Sequence, residues 1–164
     1  MNLRYGYSAG CLRGGFGGGF QGGLVVLLGA VLICSSCSAS EIVFSDVSSQ
    51  SRQFMDWERT IPLSSEQEAV KKAALTAMPA PCCSDKSAYT CCCSCNVSRT
   101  IWGLSNYLIA KQGKSEKEVR EKVNEWIQFV NPEGYSGDSC YRGGCPRAFK
   151  DNGCGGMKAN HLVL

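Results

Sequence analysis

The chain has 164 residues, a length that allows one domain of ordinary size, and its 12 cysteines are far more than a typical cytosolic protein contains. Its formal net charge is +3, and from Ser38 onward 15 basic residues nearly balance 14 acidic ones. This composition has neither a basic stripe nor an acidic tail, so we expect no nucleic acid partner.

The first 37 residues have the pattern of an export signal. Arg4 and Arg13 precede the apolar run 24–33, and small residues follow it at 35–40. An apolar helix of this length rises about 15 Å, roughly half of the hydrocarbon core of a bilayer, so a permanent membrane-spanning helix is disfavoured. We therefore expect an exported protein, located in the periplasm or at the cell surface.

Two processing schemes fit this leader. Ser38-Ala39-Ser40 offers the small residues that a signal peptidase for soluble proteins prefers, whereas Ser35-Ser36-Cys37 resembles the end of a bacterial lipobox, whose cysteine becomes lipidated. The lipobox interpretation predicts lipidation of Cys37 and a membrane partner through an N-terminal lipid anchor. Cys11 and Cys34 lie in the predicted leader at 1–37 and do not count as working thiols.

The mature chain is expected to consist of a linker and one domain. Residues 38–60 mix serine, aspartate and scattered aromatic residues without a clear period, which predicts a linker. The following residues, 61–164, show helical patterns and three clusters of cysteine, the first at 82–83, the second at 91–95 and the third at 140–154. They are predicted to form a cysteine-rich helical domain.

Three short helices are predicted in this domain, so the expected fold class is mainly α. Ser65 and Ser115 each precede a glutamate by three residues, the pattern of a capping box at the start of a helix. Prolines or a glycine follow each helical pattern and end it. The predicted helices span 65–78, 100–111 and 115–130.

The C-terminal segment is predicted to be irregular. Residues 133–157 contain seven glycines and three cysteines and have no sustained period. A glycine-rich segment loses much conformational entropy when it is ordered, and three short helices bury only a modest core. We therefore expect disulfides or a metal centre to hold this segment in place.

Nine cysteines fall in the predicted domain, and their number and spacing suggest a site. Nine is odd, so at least one thiol must be free, intermolecular or bound to a metal. Six of them fall within the 14 residues 82–95, where disulfides would close only short loops and add little constraint. The candidate metal ligands are Cys82, Cys83, Cys91, Cys92, Cys93, Cys95, Cys140, Cys145 and Cys154.

Clustered thiolates are the ligands that soft metal ions prefer. Zinc takes four of them in a tetrahedron, and Cu(I) takes two or three. The leading interpretation is an extracytoplasmic protein that binds zinc or copper and is not an enzyme, with no catalytic residue assigned. Met157 and His161 are weaker candidate ligands, and the His161 side chain near the end of the chain is expected to be solvated.

Two alternatives stay open. The cysteines could form a disulfide framework that staples a structural or interaction domain, the usual role of many cysteines in an exported protein. The Cys92-x-x-Cys95 pair could instead serve a thiol–disulfide oxidoreductase, because a position just before a helix lowers the pKa of a thiol.

Several of these motifs resemble those of known families. The sequences Pro-Cys-Cys, Cys-Cys-Cys-Ser-Cys-Asn, Trp-Gly-Leu-Ser-Asn and Asn-Gly-Cys-Gly-Gly-Met, all within 79–157, resemble a group of exported bacterial cysteine-rich proteins and, more loosely, the PCYCF-motif lipoproteins. That resemblance implies an exported or anchored address and a shared thiol site.

A second resemblance is more local. Cys92-x-x-Cys95, followed by a helix and by a second helix that opens at 113–119, is similar to the anchored thioreductase of cytochrome c maturation. It implies a small helical bundle in which Cys92 and Cys95 reduce the cysteines of an apocytochrome.

Overall fold

The computed structural model describes residues 40–164, so the predicted leader at 1–37 and its lipidation site Cys37 lie outside the described residues. The described part of the chain is mainly α, as predicted. Its helices are α1 Val47–Thr60, α2 Ser65–Thr76, α3 Asn96–Gln112 and α4 Glu116–Val130, and its antiparallel hairpin is β1 Pro79–Ala80 with β2 Cys83–Ser87. No helix within residues 40–164 is long and apolar enough to cross a bilayer.

Helix α1 corrects the prediction that residues 38–60 are a linker. The Asp46 side chain caps it by accepting a hydrogen bond from the Ser49 N–H at 2.6 Å, and Phe54 is completely buried. The sequence pattern does not indicate this helix because its buried positions, at 51, 54 and 55, include a serine where an apolar residue is expected. Ser51 is nevertheless fully buried, so α1 belongs to the folded domain.

A glycine lets α1 pack closely on α3. A Cβ atom added at Gly103 of α3 would lie 1.8 Å from the Phe54 carbonyl oxygen of α1, a distance that no real side chain tolerates. One turn further along, the Trp57 and Tyr107 rings stack with centroids 4.0 Å apart. The two helices therefore form the principal helix pair of the domain.

The α2 and α4 helices begin as capping boxes. The predicted box of α4 is confirmed, with Ser115 and Glu118 exchanging the two hydrogen bonds. The box of α2 lies one residue earlier than predicted, because Ser64 pairs with Gln67. The predicted helix starts are therefore close to the observed ones, since capping chemistry is local and visible in the sequence.

The core lies where α1, α3 and α4 meet. Trp126 of α4 is fully buried, and its indole N–H donates to the Thr100 hydroxyl of α3 at 3.0 Å. Phe54 packs edge-on against the same indole with centroids 4.8 Å apart. This buried contact fixes α3, whose N-terminal end carries a cluster of thiols.

The C-terminal segment is irregular, as predicted, and it packs on the start of α3. Its only helical piece among the described residues is the 3₁₀ turn Phe149–Asp151. The first two N–H groups of α3, at Asn96 and Val97, donate to the carbonyls of Gly156 and Cys154 at 2.9 and 3.0 Å. Helix N-terminal N–H groups need such acceptors, so backbone hydrogen bonding contributes to the order of this segment.

Candidate metal centre

Seven thiols meet in three overlapping groups, and within each group all Sγ atoms lie within 4.8 Å of one another. The inner group contains Cys82, Cys95 and Cys154, the middle group Cys91, Cys93 and Cys95, and the outer group Cys92, Cys93 and Cys140. Cys95 and Cys93 each belong to two groups. All three cysteine clusters of the sequence therefore contribute to one centre.

The hairpin brings the first cluster to the third. Cys82 occupies the turn between β1 and β2, and its carbonyl accepts the N–H of Cys140 at 3.0 Å. The Ser84 N–H in β2 likewise donates to the Gly137 carbonyl at 2.7 Å. These backbone contacts hold the Cys140 Sγ 3.5 Å from the Cys82 Sγ.

Cys95 sits at the start of α3, closer to the helix than the sequence indicated. It is the N-cap residue, because α3 begins at Asn96 and not at the predicted Thr100. The Ser98 hydroxyl in the first turn donates to the carbonyls of Cys93 and Cys95 at 3.0 and 2.8 Å, which fixes the preceding loop. Cys95 therefore lies at the positive end of the helix dipole.

Cys154 reaches the same point from the C-terminal segment. Its carbonyl accepts the Val97 N–H, and the Asn96 side chain donates to the Gly155 carbonyl at 2.7 Å. Gly155 has a positive φ of 70°, and an added Cβ would lie 2.1 Å from the Phe149 ring. A glycine is required there for the chain to pass Phe149 and deliver Cys154 to the helix start.

Burial of the thiols decreases from the inner group to the outer group. The three side chains of the inner group are 0 % exposed, those of Cys91, Cys93 and Cys140 are partly exposed, and Cys92 is exposed. The inner group is therefore shielded from water, while the outer group opens to solvent at one residue.

Interactions with neighbouring thiols shift the pKa values of Cys95 and Cys91 in opposite directions. The thiols of Cys154, Cys82 and Cys91, in that order of influence, lower the pKa of Cys95 below its ordinary value. The pKa of Cys91 is raised, through its hydrogen bond to Cys82 first, then its bond to Cys95 and its burial. Cys95 is therefore the sulfur that carries negative charge most readily, at the helix end that favours it.

The four sulfurs of Cys82, Cys91, Cys95 and Cys154 match a tetrahedral zinc set in number. Cys91 is the candidate for the fourth sulfur because it shares the middle group with Cys95. A zinc tetrahedron with Zn–S bonds of about 2.3 Å has sulfur–sulfur edges of about 3.8 Å. The 4.8 Å limit within the inner group is compatible with that spacing after small side-chain movements.

Tyr135 is a member of the site that sequence reasoning missed. Its hydroxyl is buried and has no hydrogen-bond partner within the described protein. Burial raises its pKa, and the nearby thiolate charges of Cys154, Cys82 and Cys95 add to that effect. The neutral hydroxyl is therefore an unused hydrogen-bond donor within electrostatic range of the inner group, and no sequence signal at 135 indicated it.

Four of the sequence candidates lie outside the three thiol groups. Cys83 begins β2 and is buried, and Cys145 is partly buried; neither joins a group. Met157 is 46 % exposed, and the His161 side chain is exposed. His161 contributes only its backbone carbonyl, which accepts from the Asn96 side chain at 3.3 Å.

All nine cysteines of residues 40–164 are free thiols in this structure. The Cys92-x-x-Cys95 pair is divided between the groups, because Cys92 belongs to the outer group and Cys95 to the inner and middle ones. Cys92 contacts Cys140, with their sulfurs 3.9 Å apart.

Comparisons with known proteins found no significant match to this chain. No protein-family model matches the chain, and no curated protein or solved structure is significantly similar to it.

Proposed function

We propose that this chain is an extracytoplasmic binding protein that holds a soft metal ion, zinc or copper, through clustered thiolates. The observation that carries the proposal is the inner group: three fully buried sulfurs from distant parts of the chain lie within 4.8 Å of one another. Soft metals select thiolate ligands, and a buried site excludes competing water. The exported address rests on the leader pattern at 1–37, and the anchor on Cys37.

Elemental analysis of the full chain, purified from its native compartment, tests this function. We expect stoichiometric zinc or copper, and we expect most of the thiols to become alkylatable only after chelation. A mature protein with eight oxidised cysteines and no metal would instead identify the disulfide-stapled interaction domain as the correct alternative.

A pair of serine variants locates the site. Cys95→Ser removes a ligand that two groups share, so we expect metal affinity to fall by more than about 100-fold, beyond the usual effect of losing an outer-shell contact. Cys83→Ser is the matched control, because it removes a buried thiol that belongs to none of the groups. Equal metal content in both variants would contradict the proposed ligands.

The oxidoreductase alternative has one supporting observation, the position of Cys95 at the N-cap of α3 with a lowered pKa. With the exposed Cys92 as the attacking thiol and Cys95 as the resolving one, it predicts that Cys95→Ser accumulates mixed disulfides with a partner protein, whereas Cys92→Ser traps none. The metal-binding function predicts no such difference. The complete burial of Cys95 favours metal binding, because thiol exchange needs an accessible sulfur.

Fractionation tests the proposed anchor separately. If Cys37 is lipidated, the mature chain partitions with membranes and Cys37→Ser releases it into the soluble fraction. Soluble wild-type protein cleaved near Ala39 would instead support the other processing scheme.

A further inference from the structure

The three thiol groups are connected by shared sulfurs, and this connection suggests more than one metal ion. Cys95 belongs to the inner and middle groups, and Cys93 belongs to the middle and outer groups. If each group holds one ion, each shared sulfur bonds to two ions, as a bridging thiolate does. Resting on the proposed function, we propose that the centre binds three Cu(I) ions as one polynuclear cluster, with Cys93 and Cys95 as its bridges.

Contacts outside the shared sulfurs make the cluster continuous. The Cys140 sulfur of the outer group is 3.5 Å from the Cys82 sulfur of the inner group and 3.9 Å from the Cys92 sulfur. The inner and outer groups are thus joined in two ways, through the middle group and directly. A site for one ion needs only the few sulfurs that bind it. Sulfurs that continue from the buried inner group to the exposed Cys92 therefore favour several ions.

The number of sulfurs favours Cu(I) over zinc for this cluster. Each group supplies three sulfurs, which is a trigonal set, whereas zinc takes four ligands in a tetrahedron. Seven sulfurs with two bridges satisfy three trigonal ions completely. Three tetrahedral ions would need three additional metal–ligand bonds that the groups do not supply.

The surroundings stabilise the negative charge that such a cluster accumulates. Each thiol loses its proton to solvent when it binds Cu(I), so the sulfurs carry more negative charge than the three ions neutralise. Cys95 lies at the N-terminal end of α3, and helix N-termini stabilise anions. The buried Tyr135 hydroxyl, which has no partner within the described protein, is a donor available within electrostatic range of Cys82, Cys95 and Cys154.

Metal titration of the full chain tests the proposal. The reduced, metal-free protein is titrated anaerobically with Cu(I) supplied as its acetonitrile complex, and separately with Zn(II), while native mass spectrometry counts the ions bound. X-ray absorption then reads the sulfur neighbours and any copper–copper scattering. We expect a species with three Cu(I), three sulfurs around each ion and a short copper–copper vector.

The other outcomes separate this inference from the proposed function. Saturation at a single ion without copper–copper scattering overturns the polynuclear cluster and leaves the metal-binding function standing. Binding of neither metal overturns both. Three zinc ions without a copper cluster overturn the assignment to Cu(I).

Two variants test the bridging sulfurs. Cys93→Ser removes a sulfur from both the middle and outer groups, so the number of Cu(I) ions should fall from three to one, while the Cys83→Ser control keeps three. Cys92→Ser changes an exposed ligand of the outer group alone and cannot unfold the core, so it should bind two. Retention of three ions by both the Cys93 and Cys92 variants contradicts the proposal.

Discussion

The backbone N–H of Cys140 donates to the carbonyl of Cys82 at 3.0 Å, and the sulfurs of the same two residues are 3.5 Å apart. One hydrogen bond between a hairpin turn and an irregular loop thus brings two cysteine clusters together. The backbone therefore sets part of the arrangement of the thiols.

Thiol reactivity should follow the gradient of burial. In reduced, metal-free protein we expect Cys92 to be alkylated first and the inner group, Cys82, Cys95 and Cys154, last, because a reagent must reach the sulfur. Timed alkylation followed by peptide mass spectrometry measures the order. Denatured protein is the control, in which all nine should react at similar rates, and fast labelling of Cys154 in the folded chain would contradict the described centre.

Metal removal should loosen the C-terminal segment. A ligand at 1,000 times its Kd stabilises the folded state by about 4 kcal/mol, so chelation should lower the Tm by on the order of 10 °C. Trypsin should then cut at Arg142 and Arg147 in that segment, while Lys117 and Arg120 in α4 stay protected as an internal control. Equal cleavage of both regions would show that the metal stabilises the whole domain and not this segment.

Tyr135→Phe should separate two effects of one hydroxyl. Removal of a buried hydroxyl without a partner should stabilise the metal-free protein by about 1 kcal/mol. In the metal-bound protein we expect this hydroxyl to donate to the thiolates, so its loss should weaken metal binding by about tenfold. Urea unfolding and metal competition measure the two quantities. Tyr89→Phe is the control, since that hydroxyl donates to Glu68 at 3.0 Å, and unchanged metal affinity in Tyr135→Phe would remove Tyr135 from the site.

The α4 capping box should make the free energy of unfolding depend on pH in the acid range. Hydrogen bonds from Lys114 and Ser115 lower the pKa of Glu118 from 4.5 to about 2. Because the folded pKa is the lower one, the stabilisation is complete above pH 4.5 and is lost as the pH falls through about 2. We expect Glu118→Gln, which keeps the capping geometry, to lower the urea midpoint at pH 7 and to match the wild type near pH 2.

The control for this acid effect is Glu121→Gln on the same helix. It removes the same charge from a looser pair, since Glu121 lies 3.8 Å from Lys117. It should change the pH dependence less than Glu118→Gln does. Identical profiles for the two variants would attribute the effect to net charge and not to the capping box.

The contact between α1 and α3 should be sensitive to a single methyl group. Gly103→Ala places a Cβ against the Phe54 carbonyl and should destabilise the domain by about 2 kcal/mol through overpacking. Gly113→Ala is the comparison, because nothing lies within 4 Å of its added Cβ and only its left-handed backbone, φ 64°, opposes the change. Gly113→Ala should lower the free energy of unfolding by about 1 kcal/mol. Thermal unfolding measures both, and an unaffected Gly103→Ala would contradict the packing of α1.

The sequence predicted those elements whose information is local. Helix α4 follows its capping box and its apolar spacing, with Val119, Val123, Trp126 and Val130 buried as the pattern indicates. Helix α1 was missed because buried Ser51 interrupts its apolar stripe. The start of α3 was placed at Thr100 because its first turn consists of polar residues and valine, whose partners lie in the distant C-terminal segment.

The candidate site was predictable as a composition but not as an arrangement. The density of cysteines indicated a centre with several thiolates at one point. It could not show that Cys82 joins that centre while its neighbour Cys83 does not, because this difference depends on where β2 begins. Tyr135 was equally invisible, since its role arises only from burial beside the sulfurs.

The contact of Cys154 with the start of α3 determines when the centre can exist. Cys154 follows Cys82 by 72 residues, and both α3 and α4 lie between them. A chain that is exported unfolded therefore cannot carry the assembled inner group through the membrane. On the proposed function and export, the ion would be acquired where the chain folds, so the free zinc or copper of that compartment, and not the cytoplasmic supply, would set the occupancy of the site.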